Sequence, residues 1–306
     1  MQVHHSTEHL PAFRNSVITI GTFDGVHLGH QKIIAALKQE ARRFGGETII
    51  ITFHPHPRRV VHPGEPLQLI NTQKEKIELL GKAAIDHLVI VPFTPAFSEI
   101  SADEYVASFL VNKFQPTSII IGYDHKFGKG RVGDYKLLEQ KAAQFNYQLI
   151  EISQHLLNEI AVSSTKIRKA VLESDIEAAN SLLGYSFFFE GEVISGDQLG
   201  RTIGFPTANL RYTDSDKIHL GHGVYAVSAE VDGKTYKGMM SIGTRPTLNK
   251  TEEKVEVNLF DFDEMIYSKT LRVTVKAFLR KQEKYPSLED MVQQLHHDKE
   301  NSLAVL

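Results

Sequence analysis

The chain has 306 residues, which at the usual ~100–200 per domain is about two domains, and it contains no cysteine, which excludes disulfides, thiolate metal sites, iron–sulfur clusters and a thiol nucleophile. Lys+Arg 34 against Asp+Glu 37 leaves a formal charge of −3, so the basic surplus of a general nucleic-acid or anionic-membrane binder is missing. No apolar run approaches the ~18 residues of a membrane span, and Met1 to Pro11 lacks the apolar centre of a signal peptide, so the chain reads as cytoplasmic.

Apolar clusters rich in Ile and Val, at Ser16 to Ile20, Thr48 to Phe53, His87 to Pro92, Ser118 to Gly122 and Leu149 to Ile152, predict buried strands. Helical spacing lies between them. Ile33, Ile34, Leu37, Ala41 and Phe44 mark one helix, and Ser101-Ala102-Asp103-Glu104 forms a capping box that opens another. This alternation predicts a parallel sheet covered by helices, with ligands at the carboxyl ends of its strands. Two short helices follow, Ser163 to Glu173 and Ser174 to Leu183, the second opened by Ser174-x-x-Glu177 and stopped by Gly184. After Gly184 the period changes to two, at Phe187 to Val193, Val224 to Val231, Lys234 to Ile242, Val255 to Phe260 and Leu271 to Phe278, which predicts a small antiparallel barrel. A last helix starts at Ser287 and runs to about Asn301, with Leu288, Met291, Val292 and Leu295 as its buried stripe. The domains are therefore expected at 1–183 and 184–306.

Four loops of the first half carry chemistry. The first strand runs into Gly21-Thr22-Phe23-Asp24-Gly25-Val26-His27-Leu28-Gly29-His30, where glycines and a helix N-terminus suit a phosphate. His27 and His30 are three apart and can donate to one phosphate; a bare His-x-x-His would more often be half a metal site or two helix-start histidines, and the glycine setting after the first strand reverses that weight. The loop is neither a Walker loop nor G-x-G-x-x-G. The second strand ends in His54-Pro55-His56-Pro57-Arg58-Arg59, a stiff rim for a phosphorylated ligand or an exposed polar turn. The fourth ends in Gly122-Tyr123-Asp124-His125-Lys126-Phe127-Gly128-Lys129-Gly130-Arg131-Val132-Gly133-Asp134, suited to an anion and a stacked planar ring. Val162-Ser163-Ser164-Thr165-Lys166-Ile167-Arg168 brings hydroxyls and cations to a helix start, where an ordinary N-cap is the other reading.

In the β half, Gly196, Gly200 and Gly204 recur every four residues ahead of Thr207 and Asn209, whose hard oxygens point the same way in extended chain. This fits a magnesium–ATP site or a glycine-rich turn.

Together, G-T-F-D-G-V-H-L-G-H, F-H-P-H-P, G-Y-D-H-K-F-G-x-x-R-x-G and S-S-T-K-I-R resemble the adenylyltransferase half of prokaryotic bifunctional riboflavin kinase/FAD synthetases. The run G-R-T-I-G-F-P-T-A-N, with Gly223-Val224-Tyr225, Ile242-Gly243-Thr244-Arg245-Pro246-Thr247 and Val255-Glu256-Val257, resembles their kinase half. The resemblance implies a Rossmann-like nucleotidyltransferase domain followed by a β-barrel kinase with a terminal helix. It also implies riboflavin and ATP converted to FMN, then FMN and ATP to FAD and pyrophosphate, with magnesium accompanying ATP. By that resemblance His27, His30 and Glu256 are the catalytic residues. Gly21, Phe23, Asp24, Gly25, Gly29, Ser163, Ser164, Thr165 and Arg168 would contact ATP in the transferase half, and Pro55, His56, Pro57, Asp124, Phe127 and Arg131 the flavin. In the kinase half Gly196, Gly200, Arg201, Gly204, Pro206, Thr207 and Asn209 would hold ATP, Thr207 and Asn209 the metal, and Arg280 the flavin. Small molecules are the expected partners, with no nucleic acid, no membrane and a monomer or weak oligomer. Ser241 stands where Asn is expected, Asn258 where His is common and Ser268 where Gly is usual. These departures leave open an FAD synthetase with a silent barrel; a flavin-binding regulator on the same scaffold is the other alternative.

Overall fold

The computed structural model describes residues 1–152, 162–196, 199–246 and 251–306, so Asp197, Gln198 and Thr247 of the motifs above lie outside the described residues. The chain forms two compact units, Met1–Leu67 with Asn71–Ser164, and Gln68–Ile70 with Thr165–Leu306.

The first unit is built on a six-stranded parallel sheet. Its strands are β1 (Gln2–His4), β2 (Val17–Ile20), β3 (Thr48–His54), β4 (His87–Pro92), β5 (Ser118–Gly122) and β6 (Gln148–Ile152), in the order β1-β4-β3-β2-β5-β6. β1, too short and polar to announce itself as a strand, pairs in parallel with β4 at the edge. Both faces are covered, which is why these strands read as unbroken apolar runs. Ile18, Ile49, Ile51, Val89, Ile119 and Ile121 pack on one side against Tyr105, Val106, Phe109 and Leu138. Val17, Ile50, Leu88, Ile90 and Ile120 pack on the other against Ile34, Leu37 and Leu80. These come from helices α1 (Leu28–Phe44), α2 (Gln73–Lys82) and α3 (Tyr135–Phe145) and from the segment after Ser101. Ser101 does cap that segment, accepting the Glu104 N–H at 3.1 Å, but its middle, Tyr105–Val111, is wound as a π-helix. The chain proceeds from β2 to β3 and β4 on one side and returns to β5 on the other. The reversal therefore falls between the adjacent strands β2 and β5, where open α/β sheets bind their ligands.

Helices α4 (Ser164–Leu172) and α5 (Ile176–Leu183) follow, and Gly184, at φ 76, ends α5 in the left-handed conformation. The expected cap moves by one residue. Asp175, not Ser174, accepts the Ala178 N–H, at 3.1 Å, because Ser174 sits at φ 64 with its hydroxyl accepting from Tyr225 Oη at 2.9 Å.

The second unit contains a closed antiparallel barrel of β7 (Phe188–Ile194), β8 (Ala208–Tyr212), β9 (Gly223–Val231), β10 (Lys234–Pro246), β11 (Thr251–Leu259) and β12 (Thr270–Arg280), ordered β10-β11-β8-β7-β12-β9. β8, hidden in the glycine-rich motif, is the strand that closes it. Helix α6 (Leu288–Val305) is capped by Ser287, which accepts the Asp290 N–H at 3.1 Å. Val292, Leu295 and Leu306 pack on Phe205, Met239 and Phe260. Leu288, expected in the buried stripe, is 58% exposed, since the first turn projects past that apolar patch. Among the described residues no helix is long and apolar enough to cross a membrane.

Candidate active sites

The loop leaving β2 turns through Phe23 at φ 48, Gly25 at φ 90 and Val26 at φ 37 before α1 begins. His27 is the N-cap of α1 and its Nδ1 accepts the His30 N–H at 3.3 Å, so one imidazole closes the helix start. The His27 and His30 rings then stack, with centroids 3.7 Å apart and 15° between planes. His30 Nδ1 is enclosed with no hydrogen-bond partner among the described residues. Burial pushes the His30 pKa well below its ordinary value, and the positive charges of His27 and Lys76 push it further. His30 is thereby a neutral donor at neutral pH.

Phe23 is buried, its ring 4.9 Å from that of His30, and Gly21 lies under it: a Cβ at 21 would come within 3.2 Å of the Phe23 ring. Asp24, also buried, accepts the Asn71 N–H on Oδ1 at 3.2 Å, and its carbonyl accepts from Ser164 Oγ at 2.9 Å. Two of the predicted loops of this unit are thus tied together at Asp24. Thr165 and Arg168 belong to the second unit by packing, where Arg168 Nε donates to the Gln68 carbonyl at 2.9 Å. Ser163 and Thr165 are exposed.

At the end of β3 the His54–Pro55 peptide is cis, and His56 caps the short helix Pro57–Val61 by accepting the Arg58 N–H at 3.2 Å. The loop after β5 is pinned by reciprocal backbone bonds between Phe127 and Gly133, at 3.1 and 2.9 Å. The Phe127 ring is enclosed, stacked on Tyr105 with centroids 4.9 Å apart, and a Cβ at Gly133 would come within 2.4 Å of it. The ring therefore braces the loop from beneath, while Asp124 and Arg131 remain exposed. His125 Nε2 is buried with no partner among the described residues, and burial lowers the His125 pKa to about 4, with Arg131 adding to the shift and Asp124 opposing it.

In the second unit, strand register assembles what the sequence kept apart. Asn209 of β8 lies opposite Glu256 of β11, and Glu256 lies opposite Ser241 of β10. Ser241 faces Val224 of β9, which faces Arg280 of β12. Residues directly opposite share a face, with Cβ atoms ~5 Å apart. Two residues along, the pair Met239 and Asn258 lies on the same face, and Met239 packs against α6, so the row occupies the side of the barrel that carries this helix.

The glycine loop sits at one end of the row. A Cβ at Gly196 would fall 2.0 Å from Asn209 Nδ2, and one at Gly200 would fall 2.2 Å from the Phe205 carbonyl and 3.5 Å from Thr207 Oγ1. Gly204 turns at φ 81. Thr207 and Asn209 present neutral hard oxygens in a space only glycine leaves open, a donor set that suits magnesium brought in with phosphates. Arg201, exposed, has Nη2 3.8 Å from Met265 Sδ. The departures are accommodated. Asn258 Nδ2 donates to the Pro206 carbonyl at 2.7 Å and steadies the loop, Ser241 Oγ accepts from Gln282 Nε2 at 3.0 Å, and Ser268 occupies a turn at φ 61, which explains why glycine is usual there.

Sequence reasoning passed over Lys76, whose Nζ donates to the Thr22 carbonyl at 2.8 Å, and Asp298, the bidentate partner of Arg280 at 2.8 and 2.6 Å. Only the capping box Thr72-x-x-Glu75 beside Lys76 was there to be read.

Family models described as FAD synthetase and riboflavin kinase match residues 10–166 and 183–306. A protein of Listeria monocytogenes is 36% identical over 293 residues, covering 95% of this chain and 92% of its own. One of Bacillus subtilis is 34% identical, covering 94% and 92%, and one of Escherichia coli K12 is 31% identical, covering 92% and 90%. All three carry the name bifunctional riboflavin kinase/FMN adenylyltransferase. A solved structure from Streptococcus pneumoniae, titled macrolide-efflux protein, is 29% identical with a TM-score of 0.88, covering 98% of this chain and 97% of that one.

Proposed function

This chain belongs to the family of bifunctional riboflavin kinases/FMN adenylyltransferases, and from that premise we propose that residues 184–306 phosphorylate riboflavin and residues 1–183 adenylylate the FMN so formed. The observation that carries the assignment is the row in which Asn209 and Glu256 oppose each other beside the glycine loop.

The riboflavin 5′-hydroxyl is a poor nucleophile until its proton has somewhere to go. Glu256 takes that proton as the oxygen bonds to the γ-phosphorus of ATP, and the bond to the β-phosphate oxygen breaks to release ADP. Gly196, Gly200, Arg201, Gly204 and Pro206 shape the phosphate cradle. Thr207 and Asn209 would hold magnesium, which offsets the charge of the phosphates. Arg280, fixed by Asp298, stands at the flavin end of the same row.

In the second step the nucleophile is an FMN phosphate oxygen, already ionised. It attacks the α-phosphorus of ATP, and the bond to the β-phosphate oxygen breaks to release pyrophosphate. Donors are needed more than a base. His27 and His30 donate to the phosphoryl oxygens from the start of α1, with Gly21, Gly25 and Gly29 admitting the chain of phosphates, Phe23 and Asp24 holding the loop, and Ser163 and Ser164 completing the ATP contacts. Pro55, His56, Pro57, Asp124 and Arg131 line the flavin side, on a loop whose shape Phe127 sets. The demand for ATP in both steps argues for work in the cytoplasm.

Purified protein incubated with riboflavin, magnesium and ATP is expected to yield FMN and then FAD on separation of the flavins. FAD from added FMN, with no product from riboflavin, would overturn the two-step reading.

A further inference from the structure

Lys76 lies in the first turn of α2 and is 5% exposed. Burying an ammonium is costly unless it is paired and hydrogen-bonded, so a lysine enclosed beside a phosphate loop calls for a reason. Its Nζ donates to the Thr22 carbonyl at 2.8 Å, and the buried Asp24 is its counter-charge. The turn that presents it is itself fixed: Thr72 Oγ1 accepts the Glu75 N–H at 3.2 Å, and the Glu75 carboxylate accepts the Thr72 N–H at 2.9 Å. One residue earlier, the Asn71 N–H donates to Asp24 Oδ1 at 3.2 Å. The segment from Asn71 to Lys76 thus grips the β2 loop at two points, Thr22 and Asp24. Beyond them lie the stacked imidazoles of His27 and His30, with His30 Nδ1 enclosed and unpartnered among the described residues.

We propose that Lys76 is a positioning residue for adenylyl transfer: it locks the Gly21–His30 loop through the Thr22 carbonyl and stands as a fixed positive charge behind the His27–His30 pair. The proposal rests on the adenylyltransferase reading of the first unit. The charged and titratable groups facing His30 are His27 from its own loop and Lys76 from α2, with Asp24 turned toward Lys76; Phe23 is its apolar neighbour. Burial disfavours a proton on His30, and the charges of His27 and Lys76 add to that, so His30 stays neutral. An incoming triphosphate then meets a cation already in place and does not have to draw a proton onto His30.

The test replaces Lys76 with Met, which keeps the stem and removes the charge, and with Arg, which keeps the charge. Two readouts are followed in the full chain: the His30 ring titration by NMR, and the pH dependence of kcat/KM for FAD formation from FMN, which reports groups of the free enzyme. In Lys76→Met the His30 titration moves up toward the ordinary histidine value, as expected when a neighbouring positive charge is removed, and the acid limb of kcat/KM moves with it. Lys76→Arg brings both back toward wild type. Riboflavin phosphorylation stays unchanged in either variant and reports a folded chain. Should Lys76→Met fail to fold, Lys76→Gln, which can still donate to Thr22, carries the same expectation. A folded, uncharged variant with unmoved His30 titration and unmoved acid limb overturns the proposal. Wild-type protein that forms no FAD from FMN would instead overturn the reading of the first unit, while the NMR titration still judges the coupling of Lys76 to His30.

Discussion

Replacing Arg280 with Met tests what holds the C-terminal helix to the barrel. Asp298 of α6 is 1% exposed and receives Arg280 Nε at 2.8 Å and Nη2 at 2.6 Å, with Gln294 Nε2 as a further donor at 2.9 Å. The Arg280 side chain is 19% exposed and can reach water if the pair separates; the carboxylate cannot. Removing the guanidinium leaves a buried charge short of donors, at a cost of ~3–5 kcal/mol. Against this, the apolar hold on α6 consists of Val292, Leu295 and Leu306, each only partly buried. A fully buried side chain of this kind contributes ~1.5–3 kcal/mol, so three half-buried ones supply roughly 2–4 kcal/mol together. The ion pair is thus comparable to the rest of the attachment, and its loss is expected to open the helix locally and leave the barrel folded. Amide exchange across Leu288–Val305 should accelerate by roughly two to four orders of magnitude, at ~1.4 kcal/mol per decade, with β9 and β12 still protected. Riboflavin phosphorylation should fall with it. Asp298→Asn should cost less, because the orphaned guanidinium is partly wetted. Unchanged exchange in α6 of Arg280→Met would refute this account of the attachment.

Glu256→Gln should reduce FMN formation by roughly a hundred- to ten-thousand-fold while FAD formation from added FMN continues, and His27→Ala should reduce FAD formation by roughly a hundred- to a thousand-fold while FMN formation continues; product analysis on each variant decides it, and loss of both reactions in a folded protein would sink the separate sites. His125 has its pKa lowered from 6.5 to about 4 by burial, so the unfolded chain takes up a proton as the pH falls while the folded one does not. Stability should fall by as much as roughly 3 kcal/mol as pH drops from the ordinary histidine value to the lowered one, and flatten below it. Denaturant titrations should show a shallower acid slope in His125→Phe, and an identical slope would remove His125 from the account. Ser268→Gly, which relieves a non-glycine residue at φ 61, should add about 1 kcal/mol to the stability of the second unit in the same assay.

What the sequence made legible was local. The strands Thr48–His54 and Ser118–Gly122 announce themselves because a sheet covered on both faces needs apolar residues without interruption, and Gly184 stops α5 where a left-handed residue is required. The loop from Gly21 to His30 was equally readable, since its glycines, N-cap and paired imidazoles are neighbours in the chain. Elements whose stability comes from elsewhere were not. β1 is a three-residue strand held by pairing with β4, β8 is hidden inside a glycine motif, and Leu288 fits a helical stripe yet overhangs the patch it would cover. Phe127 is the instructive residue: on sequence it was an aromatic offered to a ring, and its environment depends on Tyr105, more than twenty residues away on a segment whose π-helical turn no periodicity revealed.

The contrast between the two sites follows from their nucleophiles. An alcohol must lose a proton as it attacks, and the barrel sets a carboxylate, Glu256, among neutral donors in register with it. A phosphate attacking another phosphate has no proton to lose and brings negative charge to negative charge. The buried carboxylate of that loop, Asp24, accepts the Asn71 N–H and is the counter-charge of the Lys76 ammonium, so it is not free to serve as a base. What the loop offers instead is a buried cation and a neutral His30 imidazole. Asp24 stays the counter-charge of Lys76, and burial, with the charges beside it, disfavours a proton on His30; the residues that surround the first loop therefore favour charge stabilisation over proton transfer as a set, through Thr22, Asp24, His30 and Lys76 acting on one another.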